Sequence, residues 1–312
     1  MSGAESTRIV SLLASATELV VALGLGDRLV GRSHECDHPP WVRRLPVLSR
    51  PTFDITGTSA EIDARVRERL AAGRPLYEID EAALAALAPD FVLTQTHCEV
   101  CAVSPANLEG GGCKLERRQV VALTSGTIDG ILDGFRRVAG VLGAPAAGEA
   151  LISRLTAGLS QMRAATAALP RPRVACLEWI EPIFAMGNWG PEIVEAAGGE
   201  CLLGAPGAHS AAIPFEALAA ADPDVIVVAP CGFDLRRTLD ELPALTARSD
   251  WRALRAVREG RAYAADGNLY FNRSGPTLFE TPSLLAEMLH PDRFAPGHRG
   301  VAWVAIRLER EP

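Results

Sequence analysis

The chain carries the same stretch of sequence twice. Glu81-Ala-Ala-Leu-Ala-Ala-Leu-Ala-Pro-Asp-Phe-Val-Leu-Thr94 returns as Glu216-Ala-Leu-Ala-Ala-Ala-Asp-Pro-Asp-Val-Ile-Val-Val-Ala229. An earlier pair keeps the same order. Thr17-Glu-Leu-Val-Val-Ala-Leu-Gly-Leu-Gly-Asp-Arg-Leu-Val-Gly31 is answered by Pro191-Glu-Ile-Val-Glu-Ala-Ala-Gly-Gly-Glu-Cys-Leu-Leu-Gly204. Two ordered echoes imply two related lobes. Two lobes enclose a cleft, where a small ligand most often binds. A length of 312 residues suits two domains of ordinary size.

Each repeat reads as a helix stopped by proline and followed by a buried strand. Further strands are expected at 8–13, 29–31, 120–123, 174–178 and 261–265, with a β-like run at 301–308. Helices are expected at 59–72, 191–197, 245–257 and 281–289. Ser15 and Glu18 have the spacing of a capping box. Between the repeats, helical patterns run over 128–142 and 146–169, parted at Gly143-Ala-Pro145. Alternating strands and helices define an α/β class with mainly parallel sheets. The expected plan is two Rossmann-like lobes joined by a long rigid α-helix: a first lobe over 1–126, a helical linker over 127–170, and a second lobe over 171–312.

With 48% hydrophobic residues, each lobe can bury a core, and a net charge of −7 without a basic block argues against nucleic acid. No run reaches the ~18 apolar residues of a membrane span. The opening residues are polar and mixed in charge, unlike a signal peptide. The seven cysteines are odd in number and do not form a disulfide framework. A cytoplasmic location is expected from these features, or a periplasmic or cell-surface one if the chain is trimmed.

Four segments concentrate chemistry near expected strand ends, where α/β sheets bind ligands. Ser33-His34-Glu35-Cys36-Asp37-His38 brings together imidazole, thiol and carboxylate. Thr96-His97-Cys98-Glu99-Val100-Cys101 holds a Cys-x-x-Cys pair. His34, Cys36, His97, Cys98 and Cys101 are therefore candidate ligands for a transition metal. In the second lobe, Glu178-Trp179 and Gly187-Asn-Trp189 offer two indoles to cover a large flat ligand and a carboxylate to accept bonds from amides. Tyr270, Phe271, Asn272 and Arg273, on the loop Asp266–Pro276, can close over it. Ser15 and His209 complete the candidate wall, and His290 and His298 are expected at the surface.

The run Arg8-Ile-Val-Ser-Leu-Leu-Ala-Ser-Ala-Thr-Glu-Leu-Val, the run Gly24–Gly31 and Leu87-Ala-Pro-Asp-Phe-Val-Leu-Thr94 resemble the substrate-binding proteins of vitamin B12 and iron-siderophore importers. The resemblance spans roughly residues 8–290. It is nearest to the cobalamin-binding branch through His34-Glu-Cys-Asp37, Cys98-Glu-Val-Cys101, Glu178-Trp179, Gly187-Asn-Trp189 and Phe271-Asn-Arg-Ser-Gly-Pro276. It implies a non-catalytic protein binding cobalamin or a related corrinoid between its lobes, for uptake, trafficking or sensing. An ABC-importer permease is the implied partner, with Glu18 and Glu192 as candidate docking residues at equivalent places in the two lobes. The alternative is a metal-, haem- or metal-cluster-dependent protein or enzyme using the His/Cys-rich loops of the first lobe.

Overall fold

The computed structural model describes residues 7–96, 120–124 and 126–307. The first lobe holds strands β1 (Ile9–Ser11), β2 (Leu29–Arg32), β3 (Ser49–Pro51), β4 (Tyr77–Ile79), β5 (Phe91–Gln95) and β6 (Val120–Leu123). Four of these form a parallel sheet in the order β2-β1-β5-β6, and β3 and β4 make a separate antiparallel pair. Helices α1 (Ala14–Ala22), α2 (Ser59–Ala71) and α3 (Glu81–Leu87) connect them. Next come α4 (Ile128–Val141) and α5 (Pro145–Thr166). At 22 residues α5 spans about 33 Å, enough to run from one lobe to the other.

The second lobe is built on β7 (Arg173–Trp179), β8 (Phe184–Ala185), β9 (Glu200–Cys201), β10 (Ala211–Ala212), β11 (Val225–Val228), β12 (Ala262–Ala265) and β13 (Trp303–Ala305). Their order is β10-β8-β7-β11-β12-β13, with β9 also beside β7. The central β7-β11-β12 set is parallel, and β13 closes the edge antiparallel to β12. The helices are α6 (Gly190–Ala196), α7 (Phe215–Ala221), α8 (Leu235–Glu241), the short turns α9 (Pro243–Thr246), α10 (Ser249–Ala253) and α11 (Arg255–Arg258), and α12 (Thr281–Leu289). Among the described residues no helix is long and apolar enough to cross a membrane.

The repeat is exact down to the backbone turn. Ala88 ends α3 at φ 40°, and Asp222 ends α7 at φ 39°. Each stands before a Pro-Asp pair that leads into a central strand. Asp90 accepts the backbone N–H of Arg8 at 2.8 Å, and Asp224 that of Arg173 at 2.7 Å. Each aspartate thereby pins the start of its lobe's first strand to the start of the neighbouring one.

Three local expectations differ from the structure. The helix α1 starts one residue before Ser15, with Leu13 at its cap, so Ser15 and Glu18 lie inside it, buried, and form no capping box. The single helix expected over 245–257 breaks at Arg248 and Leu254, both extended, while Trp251 between them is fully buried. His290 is not at the surface: it is only 7% exposed and packs against Phe294. His298 is bonded to Glu287 at 2.6 Å.

Candidate functional site

Both sheets aim their strand carboxyl ends at the space between the lobes. Residues just beyond β1 (Leu13–Ser15) and the last residues of β5 (Gln95) and β6 (Leu123) come from the first lobe. Those ending β7 (Glu178), or following β11 (Cys231) and β12 (Asn268), come from the second. Together they enclose a cavity of about 170 Å³. This is the switch-point crevice expected of an open parallel sheet, here formed twice face to face.

Six of the candidates meet there: Ser15, Glu35, Glu178, Trp189, His209 and Arg273. Trp189 is largely buried, and its indole N–H donates to the Phe271 carbonyl at 2.9 Å. That bond fixes the ring against the wall. His209 is brought in by a loop pressed onto Gly187, where a Cβ would come within 2.3 Å of the Ala208 carbonyl oxygen. Only glycine admits that approach.

Glu35 keeps 37% of its side chain accessible, although it sits deep between the lobes. Burial raises its pKa to about 7, against the pull of the nearby Arg273 guanidinium. Arg273, 8% exposed, crosses from the second lobe. It donates to Asp37 at 2.6 Å, to Asn268 at 2.7 Å and to the Glu35 carbonyl at 3.2 Å. Burial pushes the Asp37 carboxyl up, but the hydrogen bond and charge of Arg273 outweigh it and hold it below the ordinary value.

Other candidates are placed elsewhere. His34 bonds Ser49 at 2.9 Å, faces the Tyr77 ring and is held neutral, its pKa lowered to about 4 by burial and by Arg32. Trp179 reaches the first lobe at Ser59 and packs on Phe233. Phe271 is fully buried in the core, and Tyr270 packs at its edge. Cys36 is fully buried beside Thr17 (3.0 Å) and Ser33 (3.1 Å), and burial raises its thiol pKa. The pairing of His34 with Cys36 as metal ligands therefore fails, because the two side chains take different hydrogen-bond partners. Among the described residues no three His, Cys, Asp or Glu side chains gather to hold a metal ion. His97, Cys98 and Cys101 lie outside the described residues.

The two acids expected to dock a partner are both engaged within the chain. Glu18 is 4% exposed and accepts the Thr277 backbone N–H at 3.2 Å. Burial raises its pKa to about 7. Glu192, half-buried, accepts the Ile128 N–H at 2.9 Å, at the first turn of α4. Each secures a helical start in another part of the chain, as helix N-termini favour carboxylates.

Of the wall carboxamides, Asn272 is expected from the sequence on the closing loop and Asn188 lies within the Gly187-Asn-Trp189 motif, while Gln95 and Asn268 are missed. Cys231 is missed as well. The repeat carries a signal for Cys231. It aligns Thr94 with Ala229, so Cys231 stands where Thr96 stands, just past the strand end.

Two α/β lobes with strand ends converging on one cleft define a solute-binding protein. The chain belongs to the periplasmic binding protein family, which matches it over residues 9–269. That family is made of substrate-binding proteins of ABC importers rather than enzymes. No curated protein matches the sequence. Solved structures share the fold. An ABC transporter substrate-binding protein from Listeria monocytogenes EGD-e is 20% identical, with a TM-score of 0.69 over 92% of this chain and 100% of that one. A periplasmic heme-binding protein from Pseudomonas aeruginosa is 24% identical, with a TM-score of 0.66 over 92% of this chain and 94% of that one. The periplasmic vitamin B12-binding protein of Vibrio cholerae is 20% identical, with a TM-score of 0.63 over 90% of this chain and 96% of that one. The expectation of a cytoplasmic location is overturned by this membership, since the family's members are periplasmic or otherwise extracytoplasmic binding proteins. It rested on polar opening residues and a cysteine count, which do not report where a folded domain is delivered.

Proposed function

We propose that this protein binds a corrinoid of the cobalamin type between its lobes and presents it to an ABC-importer permease. The observation that carries the reading is the chemistry of the wall. Four carboxamides (Gln95, Asn188, Asn268, Asn272) and two carboxyls (Glu35, Glu178) line the cavity. Arg273 is the only lysine or arginine among its described wall residues, and it is bound to Asp37. A corrin ring is fringed with amides, which donate to carboxylates and exchange hydrogen bonds with carboxamides. Trp189 supplies an apolar flank, and His209 is an imidazole able to approach a ring-bound metal.

The same wall disfavours ligands rich in carboxylates. A haem brings two propionates, and among the described wall residues the one guanidinium, Arg273, is already paired with Asp37. Like charges in a low-dielectric cleft repel strongly.

Spectral titration of hydroxocobalamin tests this reading. Saturable binding with a shifted visible band is expected for the wild type. A shift lost in His209→Ala, with binding kept, places the imidazole on cobalt. An unchanged spectrum with no saturation counts against the reading.

A further inference from the structure

Trp189, Asn268, Asn272 and Arg273 all bring N–H groups to the cavity wall, and all four turn them on the protein. Trp189 donates to the Phe271 carbonyl, Asn268 Nδ2 to Asp37 at 3.1 Å, and Arg273 to Asp37, Asn268 and the Glu35 carbonyl. Asn272 goes furthest. Its Nδ2 donates to the Ala229 carbonyl at 2.8 Å and to the Gly267 carbonyl at 2.9 Å. A carboxamide nitrogen carries two hydrogens, so both are engaged. The orientation is fixed, because a flipped amide would set its oxygen against two carbonyl oxygens. The backbone makes the reach possible. A Cβ on Gly267 would come within 2.1 Å of the Pro230 oxygen and 2.5 Å of the Ala229 carbonyl, so only glycine lets this turn lie against the end of β11. Asn272 Oδ1 is what remains. Among the described residues no donor reaches it, yet it is no buried orphan: the atom is accessible, on a residue that lines the cavity. From the first lobe, the Glu35 carboxylate lines the same cavity, with His34 Nε2 at 4.0 Å, beyond hydrogen-bond reach.

We propose that Asn272 is a specificity-determining residue, which offers the ligand an acceptor and no donor and so selects a carboxamide over the carboxylate of the same shape. A primary amide and a carboxylate are close in size and differ in having N–H donors or only lone pairs. An amide N–H aimed at Asn272 Oδ1 makes a hydrogen bond. A carboxylate oxygen in that place meets another oxygen, and both are left without a donor. Asn272 is uncharged, so this discrimination is separate from any charge on Glu35 and Glu178. The inference rests on the corrinoid reading for the identity of the ligand, but not for the chemistry that Asn272 selects.

The test compares amide and acid forms of one ligand at pH 8. Equilibrium dialysis sets cyanocobalamin against its monocarboxylic acids, each with one peripheral amide hydrolysed, in wild type and Asn272→Leu. Wild type binds cyanocobalamin about tenfold or more tightly than the acid whose carboxylate falls at Asn272. In Asn272→Leu the amide form loses about tenfold while the acid does not, and the preference collapses. A second arm uses no corrinoid: benzamide and benzoate are titrated and followed by backbone amide NMR shifts. If cyanocobalamin does not bind, but wild type prefers benzamide and Asn272→Leu loses that preference, the corrinoid reading falls and the role of Asn272 stands. Equal binding of amide and acid by wild type overturns that role, and so does an Asn272→Leu variant that weakens both forms alike. Should Asn272→Leu fail to fold, the double variant Glu35→Gln, Glu178→Gln decides. With both charges gone, a lasting amide preference supports Asn272 and its loss overturns it. If neither cyanocobalamin nor benzamide binds, both readings fall.

Discussion

Arg273 of the second lobe and Asp37 of the first form an ion pair at 2.6 Å, and Asn268 bonds to both side chains. Glu18 stands 3.8 Å from the same guanidinium. One buried cation thus neutralises acids that would otherwise repel one another across the cleft. Arg273→Met is expected to lower unfolding free energy by about 2–4 kcal/mol near pH 8, because a nearly buried cation leaves its acids uncompensated. Denaturant melts measure it. A loss below 0.5 kcal/mol, the range of an ordinary surface substitution, would show that the pair does not hold the lobes together.

Glu18 gives a pH signature of defined sign. Burial raises its pKa from 4.5 to about 7, so the folded chain keeps a proton that the unfolded chain has lost. The penalty is absent below about pH 4.5, grows as pH rises through 7, and is complete above it. Glu18→Gln keeps an oxygen for the Thr277 N–H and removes the charge. It is expected to stabilise the protein by about 1–3 kcal/mol at pH 8 and to be near neutral at pH 4.5. Tm measured at both pH values checks the difference. An equal effect at both would contradict the ionisation argument.

Gly187→Ala forces a Cβ against the 208–210 backbone, with contacts of 2.3–2.8 Å. The loop carrying His209 must then move. Cobalamin affinity is expected to fall about tenfold or more, because positioning errors of an ångström at a site are costly. Affinity and Tm are measured together. A large drop in Tm with unchanged affinity would place the effect in folding rather than in the wall.

Asp90→Asn and Asp224→Asn test the structural repeat. Each weakens the tie between neighbouring strands and is expected to cost about 1–2 kcal/mol. Asp224 costs more, because Arg255 also binds it at 2.6 Å. The two sites lie in different lobes, so the double variant is expected to show additive losses. Strong non-additivity in melts would mean the lobes do not carry their stability separately.

The two-lobe plan was legible because Pro89-Asp90 and Pro223-Asp224 perform the same backbone task, which needs the same residues twice. The cavity was legible where chemistry lay at or soon after a strand's carboxyl end, as at Glu178 near the end of β7 and Ser15 shortly past β1. Trp179 was expected at the cleft rim beside Glu178, but β7 bulges between Leu177 and Trp179, and the indole instead reaches Ser59 of the first lobe. The fate of Phe271 depended on a π-helical turn over Gly267–Phe271 that no periodicity announces. Nor do Glu18 and Glu192 differ in sequence from ordinary first-turn acids. Their role as caps exists only once distant segments, at Thr277 and Ile128, are brought to them.

The corrinoid assignment is tested most directly by equilibrium dialysis of the purified protein, with cyanocobalamin and haemin in parallel cells. The account expects saturable cyanocobalamin binding at micromolar concentration or below, with haemin at least tenfold weaker because the one guanidinium among the described wall residues is already paired with Asp37. Haemin binding without cyanocobalamin binding would contradict it.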